Sequence, residues 1–110
     1  MRRFAIGAMA AILILALGGG QASAGGGHVV KARNFEFTPK RITISAGDKV
    51  VWKATQGDHT VTFKNGGFDQ EISASGDPKV SAKFPKPGTY KYICRFHNRK
   101  GMKGAVIVKG

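Results

Sequence analysis

Four side chains in this sequence have the types and spacing to hold a metal ion. Near the C-terminal end, Tyr92-Ile93-Cys94-Arg95-Phe96-His97-Asn98-Arg99-Lys100-Gly101-Met102 sets a thiol, an imidazole and a thioether in the order Cys-x2-His-x4-Met. A second histidine, His59, opens a separate segment upstream. Any one of these alone reads as a core cysteine, a loop histidine or a core methionine. Together, two imidazoles, one thiolate and one thioether are the donor set that selects copper. Thiolate holds Cu(I), imidazole serves both oxidation states, and a weak axial thioether completes a trigonal site. Zinc fits less well, because structural zinc sites take four strong Cys, His or carboxylate ligands. The enzymatic alternative is a thiol nucleophile with a histidine base. It needs an orienting group and a substrate cleft, for which a short chain with six acidic residues offers little material. The expectation is one copper ion cycling between Cu(II) and Cu(I), with no open coordination position and no enzymatic activity.

The elements that must position these donors read as strands. Ile42 and Ile44, Val50 and Trp52, Val61 and Phe63, Val80, Ala82 and Phe84, Tyr90 and Tyr92, and Val106 and Val108 each alternate with polar neighbours. Turn chemistry separates them: Ala46-Gly47-Asp48, Thr55-Gln56-Gly57-Asp58, Asn65-Gly66-Gly67 and Pro85-Lys86-Pro87-Gly88. Period-two alternation with β-branched and aromatic enrichment at roughly ten-residue intervals predicts an all-β sandwich or barrel. No window supports a ten-residue amphipathic helix, and residues 69–78 are polar and carry no clear assignment. Counting in twos from Val61 turns His59 inward, and counting from Tyr92 does the same for Cys94. Lys31, Lys49, Lys53, Lys64, Lys79, Lys83 and Lys91 fall on outward positions, where they solvate the strands and guard their edges.

The first 24 residues read as an address. Met1-Arg2-Arg3 is a basic start, residues 4–17 are apolar apart from Gly7, and Ala22-Ser23-Ala24 is the small-x-small pattern of signal cleavage. This predicts a secretory signal peptide over 1–24 and a mature domain over 25–110. The apolar run is too short for a membrane span, which takes about 20 residues. Cleavage removes Arg2 and Arg3, so the net charge falls from +12 to +10. A lone cysteine in an exported chain calls for a reason, and a metal supplies one. Cleavage one residue later, after Gly25, would leave Gly26-Gly27-His28 at the terminus. An amino group, two amides and an imidazole in that register suit square-planar Cu(II). By default His28 is a solvated strand histidine.

The Cys94-x2-His97-x4-Met102 loop resembles that of the cupredoxins, the blue-copper family of plastocyanin, pseudoazurin and amicyanin. The spacing is similar to plastocyanin and pseudoazurin and longer than amicyanin. The resemblance extends through Phe37-Thr38-Pro39, Ile42-Thr43-Ile44, Gly47-Asp48-Lys49-Val50-Val51-Trp52-Lys53, His59-Thr60-Val61 and Pro87-Gly88-Thr89-Tyr90-Lys91-Tyr92. It departs at Asp58, Ile93 and Arg95, where plastocyanins tend to carry proline, tyrosine and a small hydroxyl residue. The resemblance implies a Greek-key β-sandwich with the metal at one end. It also implies His59, Cys94 and His97 as strong copper ligands, Met102 as the axial one, and one-electron transport as the activity.

The alternative function is copper binding and delivery in the periplasm. Thioether-rich Cu(I) carriers need several methionines, and after residue 24 only Met102 remains. The resemblance implies that the His97 edge is the port for electrons. Around it the loop carries Arg95, Arg99, Lys100 and Lys103 with no acidic residue, and Phe96 adds an apolar contact. A single-sign patch steers association. The expected partner is therefore a redox protein with an acidic docking face, such as a c-type cytochrome or a copper- or haem-containing reductase. No nucleic-acid partner and no stable membrane insertion are expected. The chain is expected to be a periplasmic monomer.

Overall fold

The computed structural model describes residues 27–110; the proposed signal peptide, and Gly25 and Gly26 of the shifted cleavage, lie outside the described residues. Nine strands follow in chain order: β1 Gly27–Arg33, β2 Glu36–Thr38, β3 Arg41–Ser45, β4 Lys49–Ala54, β5 Asp58–Phe63, β6 Asp69–Ser73, β7 Lys79–Lys83, β8 Gly88–Ile93 and β9 Lys103–Lys109. They form two sheets, a four-stranded one ordered β2-β1-β4-β7 and a five-stranded one ordered β3-β9-β8-β5-β6. The pairs β1/β4 and β3/β9 are parallel, and the remaining pairs are antiparallel. The all-β sandwich expected from the alternation is present. Among the described residues the helical structure is one 3-10 turn, Asn98–Lys100. None of their helices is long and apolar enough to cross a membrane.

The alternation works as the pleat requires. Val50 and Trp52, Val61 and Phe63, and Val106 and Val108 are buried between the sheets, and the seven outward lysines are exposed. Trp52 is the centre of the core. Its ring meets Tyr92 at 5.4 Å and Phe63 at 5.7 Å between centroids, both edge-on, the arrangement that aromatic quadrupoles favour. Burial pushes the Tyr92 hydroxyl up to about 12, so the ring stays neutral beneath the site.

The polar segment after residue 68 contains β6. Asp69, Gln70 and Glu71 are exposed and only Ile72 is buried, because β6 is an edge strand with one apolar anchor. That pattern leaves no alternation to read. His28 also differs from a solvated histidine. Its Nε2 lies 3.0 Å from Oδ2 of the buried Asp48, the residue that also accepts the Ser45 amide in the β3–β4 turn. The start of β1 is thereby tied to the turn that opens β4.

Candidate metal centre

Two pieces of chain bring the donors together. His59 is the second residue of β5, facing inward by parity with Val61 and Phe63. Cys94 follows the last residue of β8, inward with Tyr92, and is fully buried. From Cys94 the chain makes a tight excursion. The His97 amide donates to the Cys94 carbonyl, and the Met102 amide donates to the His97 carbonyl. The Cys94 amide closes the loop on the Met102 carbonyl at 3.0 Å. Gly101, at φ +81, takes the left-handed conformation that ends the 3-10 turn and returns the chain to β9, a conformation that favours glycine. The fixed spacing of Cys94, His97 and Met102 is thus the length of one hydrogen-bonded loop.

One donor atom from each of His59, Cys94 and His97 lies within 4.8 Å of the others. The Cys94 Sγ is 3.5 Å from His97 Nδ1 and 3.8 Å from His59 Nδ1. The His59 ring has a determined orientation. Its Nε2 sits 2.6 Å from the Gln56 carbonyl oxygen, which can only accept, so Nε2 carries the proton and Nδ1 presents its lone pair to the cluster. Burial lowers the His59 pKa against the pull of the Gln56 carbonyl, which keeps the ring neutral and able to ligate. Gly57 makes this turn possible. Its φ is +78, and a Cβ there would lie 2.7 Å from the Asn34 Oδ1 and 3.4 Å from His59 Nε2.

The sulfur has a partner of its own. The Thr60 amide donates to Cys94 Sγ at 3.5 Å. Met102 is fully buried at the end of the same loop. His59, Cys94 and Met102 are all closed to solvent, whereas His97 keeps a partly exposed edge. The exposed Phe35 packs against that edge at 4.7 Å between centroids, and the exposed Phe96 lies at 6.4 Å. All four residues singled out in the sequence therefore sit on the two chain segments that meet here. One sulfur and two imidazole nitrogens converging in one cluster fit copper, and the chemistry of the set is that of soft and borderline donors.

Sequence reasoning did not single out Gln56, Thr60 or Phe35. Gln56 acts through its carbonyl, which any residue has. Thr60 falls on the outward parity of β5 yet is fully buried, because the Arg95 amide donates to its Oγ1 and the ligand loop covers it. Arg95 also has a partner that its neighbours in sequence do not show. It remains an exposed loop cation, but its Nε lies 3.1 Å from Asp69 Oδ1.

Residues 26–109 match the family described as copper binding proteins, plastocyanin/azurin family. The chain is 36% identical over 110 residues to amicyanin-alpha of Methylorubrum extorquens, covering 96% of this chain and 91% of that protein. It is 35% identical over 85 residues to a plastocyanin of Scenedesmus fuscus, covering 66% of this chain and 86% of that one. In structure it is similar to the oxidised plastocyanin of Dryopteris crassirhizoma, with a TM-score of 0.64 at 30% identity over 74% of this chain and 99% of that chain. A Sinorhizobium pseudoazurin gives the same TM-score at 26% identity, over 76% and 74% of the two chains. With a sandwich of the same architecture and a buried His-Cys-His cluster at one end of it, the chain belongs to the plastocyanin/azurin family of copper-binding proteins, the cupredoxins, and its cofactor is a copper ion.

Proposed function

We propose that this protein is an exported, periplasmic one-electron carrier in which His59, Cys94 and His97 are the strong copper ligands and Met102 the weak axial one. The observation that carries this reading is the convergence of three donor atoms within 4.8 Å, with the His59 ring already oriented by Gln56. The bound ion supplies one-electron cycling between Cu(II) and Cu(I). The chain supplies a site held by its own hydrogen bonds. Two ligands and the axial thioether hang from one hydrogen-bonded loop, and the fourth comes from a strand of the same sheet. A buried cluster excludes water from Cys94, and the His97 edge is the contact left for a partner.

Met102 tunes this site more than it holds it. Replacing the thioether by an oxygen donor in Met102→Gln is expected to keep copper bound and favour Cu(II) at least about tenfold, which is 59 mV for a one-electron couple. Voltammetry with metal analysis checks this. Complete loss of copper would make Met102 a strong ligand, against the reading.

The partner is read from the surface around His97. Phe35 and Phe96 give an apolar contact, and Lys100 Nζ stands 4.9 Å over the Phe35 ring. With Arg95 paired to Asp69, the steering charge rests on Arg99, Lys100 and Lys103. A redox protein with an acidic face fits this rim, a c-type cytochrome or a copper- or haem-containing reductase. Oxidation of the reduced protein by anionic hexacyanoferrate(III) is expected to slow as salt rises, since screening acts over about 8 Å at physiological ionic strength. Reversing Arg99 and Lys100 to Glu is expected to slow it about tenfold at low salt with the visible spectrum unchanged. Reversing Lys49 and Lys83, which pair across β4 and β7 at the opposite end of β4, changes the net charge equally and is expected to do less. Equal effects from both pairs would reduce the loop cations to general solvating charge.

A further inference from the structure

Arg95 supplies both ends of a closed hydrogen-bonded ring. Its backbone amide donates to Thr60 Oγ1 at 2.8 Å, and Thr60 Oγ1 lies 3.0 Å from Thr62 Oγ1. The Thr62 hydroxyl donates to Asp69 Oδ1 at 2.8 Å, and the same oxygen accepts the Arg95 Nε–H at 3.1 Å. The direction of the ring is fixed by chemistry. An ionised carboxylate only accepts, so Thr62 spends its one proton on Asp69 and must accept from Thr60. Thr60 then accepts from Arg95. Asp69 is ionised, since the Thr62 hydroxyl and the Arg95 guanidinium hold its carboxyl below the ordinary value.

The ring runs from an exposed ion pair to the metal site. Asp69 and Arg95 are about half exposed, whereas Thr60 is fully buried and its own amide faces Cys94 Sγ. The Arg95 amide belongs to the peptide unit that begins at the Cys94 carbonyl. Hydrogen bonds aligned head to tail polarise one another, so negative charge at Asp69 strengthens Thr60 Oγ1 as the acceptor that holds this peptide. A carboxylate at the end of the chain also favours the more positive, oxidised state of the site.

We propose that Asp69 and Thr62 are positioning residues that set the reduction potential of the site through Thr60. The inference rests on the copper reading above. It predicts that Asp69→Asn, which keeps an acceptor but removes the charge, favours Cu(I) about threefold, near 28 mV at 59 mV per decade. Thr62→Val, which keeps the charge but severs the relay, is expected to shift the potential the same way. Because both act through one chain, the double variant should shift it by no more than the larger single change. Thr62→Ser restores the hydroxyl and should restore the potential.

The experiment is voltammetry and visible spectroscopy of the copper-loaded wild type and these four variants. Hydrogen exchange at the Arg95 amide of the metal-free protein is measured in parallel. Several-fold faster exchange is expected in Thr62→Val and wild-type exchange in Thr62→Ser. Potentials unchanged in Asp69→Asn or Thr62→Val, additive shifts in the double variant, or a Thr62→Ser protein that behaves like Thr62→Val would each overturn the proposal. A wild-type protein that binds copper without a thiolate absorption band would instead overturn the copper reading on which it rests.

Discussion

Cys94→Ser protein loaded with Cu(II) is expected to lose the intense blue charge-transfer absorption. The blue absorption of a trigonal His2Cys site is charge transfer from thiolate sulfur to copper, and serine offers a hard, protonated hydroxyl in its place. The loss is complete because Cys94 is the sole cysteine of the chain. Weak copper binding by His59 and His97 is expected to survive, since their Nδ1 atoms are placed by other contacts. Gln56 holds one ring, and Phe35 packs against the other. Absorption spectroscopy with metal analysis measures both quantities. An intense charge-transfer band retained in Cys94→Ser would remove Cys94 from the site.

The second large effect is on stability. Trp52→Ala is expected to cost about 3–5 kcal/mol, the range for removing a large aromatic side chain from a core. Trp52 is fully buried and touches Phe63, Phe68, Phe84 and Tyr92. Each of these belongs to a different strand or turn, so the cavity cannot close by a single local movement. Against a total of roughly 5–15 kcal/mol for a domain, that loss is a large share. Denaturant unfolding of the metal-free variant measures it without the contribution of bound metal. A loss under about 1 kcal/mol would mean that the sheets pack without this ring at their centre.

How far the sequence could be read depends on what each residue does. Strands packed on the core declare themselves: Val61 and Phe63 alternate, and the same parity turns His59 inward. Cys94 follows Tyr92 in the same way and is buried as expected. The edge strand β6 does not declare itself, because Ile72 is its one buried residue and a single anchor has no period. Thr60 breaks the parity rule because its covering comes from the Arg95 amide, 35 positions along the chain. Arg95 read as a docking cation because its neighbours in sequence hold no acid, whereas its partner Asp69 lies 26 positions away. The donor set was legible because metal chemistry restricts which side chains serve. The hydrogen bonds that orient it were not, since a Gln56 carbonyl and a Thr60 amide are backbone groups without a residue signature.

The sandwich explains why the donors come from where they do. β5 and β8 are neighbours in the five-stranded sheet, with Thr62 opposite Ile93 and Phe63 opposite Tyr92. That register sets His59 beside the start of the ligand loop. The loop is closed by its own backbone, so its length fixes His97 and Met102 relative to Cys94. Little remains to be organised when a metal arrives.

The most direct test of this account is the visible spectrum of the wild-type protein given one equivalent of Cu(II), followed through a titration with a one-electron reductant. An intense thiolate-to-copper band that bleaches with one equivalent of reductant and returns on reoxidation, with copper retained, is the predicted result. A colourless copper complex, or release of the metal on reduction, would contradict it.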